Sequence, residues 1–482
     1  MNTLYWHDYE TWGENPARDK PSQFAGVRTD ENLNIIGEPV SIYCQPASDC
    51  LPKPDACLVT GITPQHAHEH GLPDYQFMAR IHAELITPGT CGVGYNSIRF
   101  DDEVTRNGLF RNFYDPYERE WNNGNSRWDI IDMVRLAYAL RPEGIEWPRH
   151  DDGSPSFRLE HLSAANGLMH ESAHDALSDV YATIAMARLI RERQPNLYSY
   201  AYRMRQKKEV AALIDLRDHR PFLHISSKYP ASRGCAALVM PLAMHPVNKN
   251  GVIVYDLSAS PDLLTDFDEE EIRTRLFTPR DQLEEGMERV PLKVVHLNKS
   301  PLLVTPRLVD AHAEQRLQLD KVVCDANWQT LCGSLKKPEL AAKLQAVFSR
   351  NDFFENSDPE QCLYQGFIND RDKATMAEVR KADAASLAST TFSFYDRRLP
   401  ELLFRYRARN FPQSLSPQER QQWDEFRVQR FTDPEAGAGI TIEAFRQRIA
   451  ELLAEPTTTA EQSQLLGQLA DYEKELTSGL IY

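Results

Sequence analysis

His174-Asp175-Ala176-Leu177-Ser178-Asp179 is the stretch on which the reading of this chain turns. Five positions separate His174 from Asp179, about 140° on a helix, so both serve one site only if His174 precedes the helix or sits in its first turn. Asp179 shares a helical face with Ala176, Thr183, Met186 and Ile190, and Leu177, Val180, Tyr181 and Ile184 form a second apolar face. A carboxylate on a small, apolar stripe is costly without a cation. Asp175, one turn earlier, is a rival ligand but lies toward the polar side. Two more acidic stations stand upstream, Asp8-Tyr9-Glu10 and Phe100-Asp101-Asp102. On a strand, residues i and i+2 share a face, so Asp8 and Glu10 reach one site while Tyr9 faces away. Asp101 and Asp102 open a helix, where acids also serve simply as partners of the helix dipole.

Carboxylates from three separated segments, plus one histidine, suit two Mg²⁺ ions on a phosphodiester, because Mg²⁺ takes oxygen ligands and substrate phosphates. Two such ions, roughly 3.5–4 Å apart, activate a water and steady the leaving oxygen. His174 suits the base that takes the water's proton; its plainer role is a surface or capping histidine. The sequence therefore reads as a metal-dependent nuclease.

Around these motifs, strands are expected at 4–7, 23–28, 40–44 and 91–95. Helices are expected from Thr63-Pro64, and over 77–86, 101–111, 129–140, 158–166 and 174–192. Strands first and helices later around an apolar sheet predict an α/β or α+β domain over residues 1–192. Residues 196–349 carry short β-rich segments at 222–225, 236–240, 252–255 and 292–297, with an acidic helical piece at 262–271. They predict a second, mostly β domain with inserted helices. Residues 351–482 predict a third, helical domain, with helices at 370–388, 396–409, 416–431, 441–453 and 459–477.

The chain has 482 residues, of which 41% are hydrophobic, enough for packed cores and against wholesale disorder. No apolar run is long enough for a membrane span. The opening Met1-Asn2-Thr3-Leu4-Tyr5-Trp6 enters a strand-like segment without a basic secretory leader, which predicts a cytoplasmic protein. Eight cysteines without CxxC spacing predict reduced thiols. The net charge of −16 argues against nucleic acid until its distribution is read. Residues 1–190 carry −13, whereas 191–250 carry +7 and 291–350 carry +4. Acids for metal beside cations for phosphate fit a nuclease; ordinary surface variation is the bland alternative.

The three acidic motifs, in this order, resemble the DEDDh exonucleases, 3′→5′ enzymes with a ribonuclease H-like fold. That resemblance implies that Asp8, Glu10, Asp101 and Asp179 hold the metal, that Glu10 also meets substrate, and that His174 is the general base. Longer strings narrow it: Phe113-Tyr114-Asp115-Pro116-Tyr117, Asn125-Ser126-Arg127-Trp128-Asp129, Ala139-Leu140-Arg141-Pro142-Glu143-Gly144, Ser156-Phe157-Arg158-Leu159-Glu160-His161-Leu162 and Tyr406-Arg407-Ala408-Arg409-Asn410-Phe411-Pro412 are similar to the bacterial exonuclease I family. The likeness covers nearly the whole chain and is weakest in 262–290 and after about 430. It implies a nuclease domain, a Src-homology-3-like domain and a helical domain enclosing single-stranded DNA.

Residues 111–128 hold Phe113, Tyr114, Tyr117, Trp121 and Trp128, interleaved with Arg111, Arg119 and Arg127. Exposed aromatic faces stack on unpaired bases at about 1–3 kcal/mol each; the alternative is a core cluster. Arg158 is a candidate for the terminal phosphates or a plain surface arginine. The family likeness adds Arg106, Tyr117, Trp121 and Arg135 as DNA contacts. Lys293, His296, Asn298 and Lys299 lie on one short stretch; Lys293 and Lys299 share strand parity, either to track phosphates or as a solvated face. Arg397, Arg398, Arg405, Arg407 and Arg409 either help close a channel around the strand or pair with acids at a domain interface.

The expectation is a monomeric, single-strand-specific 3′→5′ exodeoxyribonuclease of DNA repair and recombination, releasing 5′-mononucleotides with two Mg²⁺ ions, for which Mn²⁺ can substitute. An RNA 3′ exonuclease and a single-strand-binding scaffold with a vestigial site are the alternatives. The resemblance also implies a partner, the acidic, Phe-ending tail of single-stranded DNA-binding protein. The +7 surface of 191–250 suits it, with Arg220 as a contact.

Overall fold

The computed structural model of the chain describes residues 2–168, 175–336, 338–349 and 358–480. It divides into two compact units. The first unites Met1–Ser126, His170–Ile184 and Glu355–Tyr482; the second comprises Arg127–Met169 and Ala185–Phe354.

The first sheet has five strands in the order β3-β2-β1-β4-β5. They are β1 (Thr3–Thr11), β2 (Pro21–Thr29), β3 (Val40–Tyr43), β4 (Thr90–Gly94) and β5 (Ser126–Asp129). β1 runs antiparallel to β2 and parallel to β4, so it lies at the centre. Its residues Leu4 to His7 are buried, whereas at its end Asp8 and Glu10 are half-buried and alternate with buried Tyr9 and Thr11. That change marks where the strand leaves the core and begins to serve a site. Beneath it Tyr5, Tyr9, Phe24, Phe77, Met78, Ile81, Leu85, Val104 and Leu109 form one core. Phe77 to Leu85 come from the helix Asp74–Leu85, and Val104 and Leu109 from Asp101–Arg111.

The C-terminal segment builds the rest of this unit. Trp12, Leu51, Cys57, Ile62 and Ala67 share a core with Phe431, Ile442, Phe445, Ile449, Leu452, Leu466 and Leu469. Phe110 and Phe113 pack with Leu363, Met376, Leu399, Leu402 and Tyr406. Buried charges join the same parts: Asp49, with its side chain fully buried, lies 3.1 Å from Lys20 and 2.7 Å from Arg409.

The second sheet is antiparallel, in the order β10-β6-β7-β8-β9: β6 (Phe222–Ile225), β7 (Ala236–Met244), β8 (Gly251–Asp256), β9 (Leu292–His296) and β10 (Leu302–Val304). It packs with Ile272, Cys324, Leu331, Leu344, Val347 and Phe348 from helices. This region carries more helix than the expected mostly β domain, including Pro195–Met204, Ala311–Leu317, Lys321–Leu335 and Pro338–Ser349. Asp310 and Asp320 explain two of the starts: each side chain accepts first-turn backbone N–H groups. Capping there accommodates the β-branched Val322-Val323 in a first helical turn despite their lower helix propensity. The eight cysteines are all free thiols. No described helix is long and apolar enough to cross a membrane.

Candidate active site

Asp8 and Glu10 leave β1 on one face, and Asp179 meets them from the first turn of the helix Ala176–Arg193. Oxygens of all three carboxylates lie within 4.8 Å of one another. Ala176, Thr183, Met186 and Ile190, which share the Asp179 face, are buried as the stripe predicted. Asp101 is buried at the start of its own helix, and its Oδ1 accepts the backbone N–H of Tyr9 at 3.1 Å. The residue between the two strand acids thus ties the third station to the first. Thr105 Oγ1 donates to the Tyr9 hydroxyl at 3.0 Å and fixes the other end of that tyrosine.

Electrostatically the cluster is incomplete as a purely organic object. Burial, then Asp101, Glu10 and Asp179, push the Asp8 carboxyl well above its ordinary value. Burial, then Asp179, Asp101 and Asp175, push Glu10 up to about 8. Hard carboxylate oxygens that oppose one another's ionisation are relieved by a hard divalent cation, so the donor set fits Mg²⁺ or Mn²⁺. Among the described residues no other group of three or more His, Cys, Asp or Glu side chains converges in this way.

Asp175 is not drawn into this set. It precedes the helix, and its carboxylate accepts the Ser178 backbone N–H at 3.1 Å and Gln23 Nε2 at 3.2 Å. Its role is to begin the helix that carries Asp179. His174 lies outside the described residues.

The aromatic stretch divides. Phe113 and Trp128 are core residues, while Trp121 is 65% exposed and Tyr117 half-buried. Its arginines turn inward, which favours the core alternative for this part of the stretch. Arg111 pairs with Asp74 at 2.9 Å and Arg119 with Asp102 at 2.6 Å, and buried Arg127 donates to the Asn298 carbonyl at 3.1 Å. Arg106 is also buried, held by both Glu120 oxygens at 2.7 and 2.8 Å and by Glu103 at 2.9 Å. Sequence reasoning missed Tyr364 and Phe367, which are 56% and 87% exposed. Their rings lie 6.4 and 5.5 Å from that of Tyr117. The signal was a Tyr-x-Gly-Phe string just before a helix, too short to read without its neighbour.

In the second unit Arg158 is exposed and lies 3.9 Å from the Glu160 carboxylate. Arg135 is buried, pairs with Asp132 at 2.7 Å and lies over the Phe157 ring. Lys293 lies over Tyr229 and donates to the Lys228 carbonyl, and burial lowers its ammonium to about 8. His296 is half-buried beside Asn248, whereas Asn298 and Lys299 are exposed. β9 ends at His296, so Lys299 sits in the following turn and the parity argument fails. Arg220 is exposed and pairs with Asp215 at 3.2 Å and Asp218 at 2.9 Å. Four of the five C-terminal arginines are likewise committed: Arg398 to Asp396, Arg405 to Asp358, Arg407 to Glu419, and Arg409 to Asp49 and Glu360. Arg405 and Arg409 are reached by acids distant in sequence, which favours the interface reading for these two, whereas Arg398 and Arg407 pair with acids close by in the chain; Arg397 is exposed.

Family models match the chain in series: Exonuclease over residues 5–187, Exonuclease I SH3-like domain over 205–350, and Exonuclease I C-terminal domain over 357–476. Exodeoxyribonuclease I of Escherichia coli (strain K12) is 44% identical over 477 residues, covering 99% of this chain and 98% of that protein. The chain belongs to the exonuclease I family. This exonuclease is therefore a hydrolase of the exodeoxyribonuclease I type, with exonuclease, SH3-like and C-terminal domains. Its structure matches an exonuclease I of Methylocaldum szegediense with a TM-score of 0.94 at 50% identity, covering 99% of this exonuclease and 100% of that chain. It matches E. coli exonuclease I in complex with a dA16 oligonucleotide with a TM-score of 0.94 at 44% identity, covering 99% and 100%.

Proposed function

We propose that this exonuclease hydrolyses single-stranded DNA from its 3′ end and releases 5′-mononucleotides. The carrying observation is the convergence of Asp8, Glu10 and Asp179 within 4.8 Å, with Asp101 tied to the same strand. These four would hold two Mg²⁺ ions, which when bound lower the pKa of a water and offset phosphate charge. The Tyr9 amide holds Asp101, and Asp175 fixes the helix start that aims Asp179. His174 would take the proton of the attacking water, and Glu10 would also meet the terminal nucleotide. The E. coli relative's complex with an oligonucleotide supports the substrate. So do exposed Trp121, Tyr364 and Phe367 beside Tyr117, since aromatic faces bind bases without reading them. Arg158, Lys293, His296, Asn298 and Lys299 would meet the backbone, and Arg106 and Arg135 would do so from within their ion pairs.

The proposal extends to a monomeric, cytoplasmic enzyme of DNA repair and recombination, organised as domains over 1–192, 196–349 and 351–482. Arg220 would meet the acidic tail of single-stranded DNA-binding protein, in competition with Asp215 and Asp218. Matched DNA and RNA oligonucleotides, 5′-labelled and incubated with Mg²⁺, test the reaction. Ladders of 5′-labelled products shortening from the 3′ end on DNA, and little on RNA, are expected. Equal digestion of RNA would overturn the sugar preference, and activity in excess chelator would overturn the metal. Binding of a tail peptide should weaken as salt rises; no binding at low salt removes the partner.

A further inference from the structure

The short turn Glu118–Glu120 is flanked by half-buried Tyr117 and exposed Trp121. Its inner residues are both bolted to the helix Asp101–Arg111. Arg119 Nη2 donates to Asp102 Oδ1 at 2.6 Å, with side chains 1% and 4% exposed. Glu120 takes a two-pronged bond from Arg106, whose remaining nitrogen donates to Glu103 and to the Tyr364 hydroxyl. The Arg106 guanidinium also lies over the Tyr117 ring, 5.3 Å from its centre. The sheet makes room for this reach: a Cβ on Gly92 of β4 would stand 3.3 Å from Arg119 Nη1. Asp102 adjoins Asp101, whose carboxylate holds the amide between Asp8 and Glu10.

The geometry points to Arg119 and Glu120 as positioning residues that couple occupancy of the aromatic turn by a DNA strand to the placement of Asp101. This rests on the proposed reading of the carboxylate cluster and of Tyr117 and Trp121. Physically, a buried ion pair is stiff because any separation leaves a desolvated charge. A base that stacks on Trp121 and shifts the turn must therefore move the first turn of the Asp101 helix with it. Two ion pairs, one at each inner residue of the turn and joined where Arg119 Nη2 lies 3.9 Å from Glu120 Oε1, leave little freedom to rotate about either. A strand long enough to stack would set Asp101 for the reaction; a lone nucleotide would not.

The test compares two substrates on the full chain with Mg²⁺. One is a single-stranded deoxyoligonucleotide; the other is the p-nitrophenyl ester of thymidine 5′-monophosphate, which has no second base to stack. In Glu120→Gln and Arg119→Met, kcat on the oligonucleotide should fall by about tenfold or more, as a displaced catalytic group requires. The oligonucleotide Kd and the ester rate should both stay within about threefold. Arg119→Lys, which keeps a charge at Asp102, should recover part of the loss. Because Arg119→Met leaves Asp102 buried without its partner, the double variant Arg119→Met with Asp102→Leu removes both charges and carries the test if the single variant does not fold. Unchanged oligonucleotide kcat in the folded double variant would overturn the coupling. Equal losses on both substrates would also overturn it, since a merely structural role lowers both alike. A wild-type protein that cleaves neither substrate would overturn the reading of the site itself, which a working wild type with unaffected variants would leave standing.

Discussion

Asp8, Glu10 and Asp179 are placed where each resists the others' ionisation, so the site is arranged for function at the expense of the metal-free fold. Asp179→Ala should lower hydrolysis by several orders of magnitude and yet raise the melting temperature in chelator, read by calorimetry. A chelator-treated variant less stable than wild type would contradict the repulsion argument. Glu10 gives the pH dependence. Its folded value of about 8 stands above the ordinary carboxylate value of 4.5, so the folded state binds the proton more tightly. That contribution to stability is complete below pH 4.5 and is lost as pH rises through about 8. In chelator this term should lower stability across that window. With Mg²⁺ the loss should shrink, because the cation favours the ionised form. Melting curves across pH with and without Mg²⁺ check it; a Mg²⁺ shift that is constant in pH would count against it. His174→Ala should slow single-turnover cleavage by about 10²–10⁴-fold at unchanged DNA affinity. At this scale the strand acids were legible, because alternation on β1 follows from two-residue periodicity. The Asp175 cap and the buried arginines were not, since Ser178 N–H, Asp74 and Asp102 claim them only once the chain has folded.

Secondary-structure elements supply surfaces that single residues cannot. Tyr117 from one turn and Tyr364 and Phe367 from another form an aromatic surface within the first unit, with exposed Trp121 four residues beyond Tyr117. Trp121→Ala and Phe367→Ala should each cost about 1–3 kcal/mol of affinity for single-stranded DNA, with cleavage of bound strand affected less. Fluorescence anisotropy in chelator reads the affinity without turnover; wild-type binding by both variants would remove the surface from the substrate path. Sequence periodicity located most of these elements within a few residues, including the helices Asp101–Arg111 and Leu399–Asn410. It failed where pairing across distance decides the outcome. The stretch 111–128 left an exposed stacking loop and a core cluster equally open, and Arg111 and Arg119 find acids that no local window contains. Residues 311–349 fall in the expected mostly β domain, yet helices start there at the caps Asp310 and Asp320.

For the whole molecule, the arginines near the C-terminus do structural work that sequence spacing left open. Arg409 and Arg430 surround Asp49 from one side while Lys20 holds it from the other, and Phe445 sits in the core that begins with Trp12. Phe445→Ala should therefore cost about 3–5 kcal/mol, measured by denaturant unfolding. A chain ending before residue 358 should lose cooperative unfolding of the N-terminal portion rather than become a smaller, less tenacious enzyme. A well-folded, active fragment would refute that. The shared core also has a consequence for synthesis. Trp12 leaves the ribosome early, but Phe445 follows it by more than 400 residues, roughly 20 to 90 s later at 5–20 residues per second. A nascent or prematurely terminated chain thus carries all four proposed metal ligands before the second half of the core beside their strand exists. If the proposed reading holds, degradation of DNA should begin only after the C-terminal part of that core has been made, so that chain order itself delays the activity.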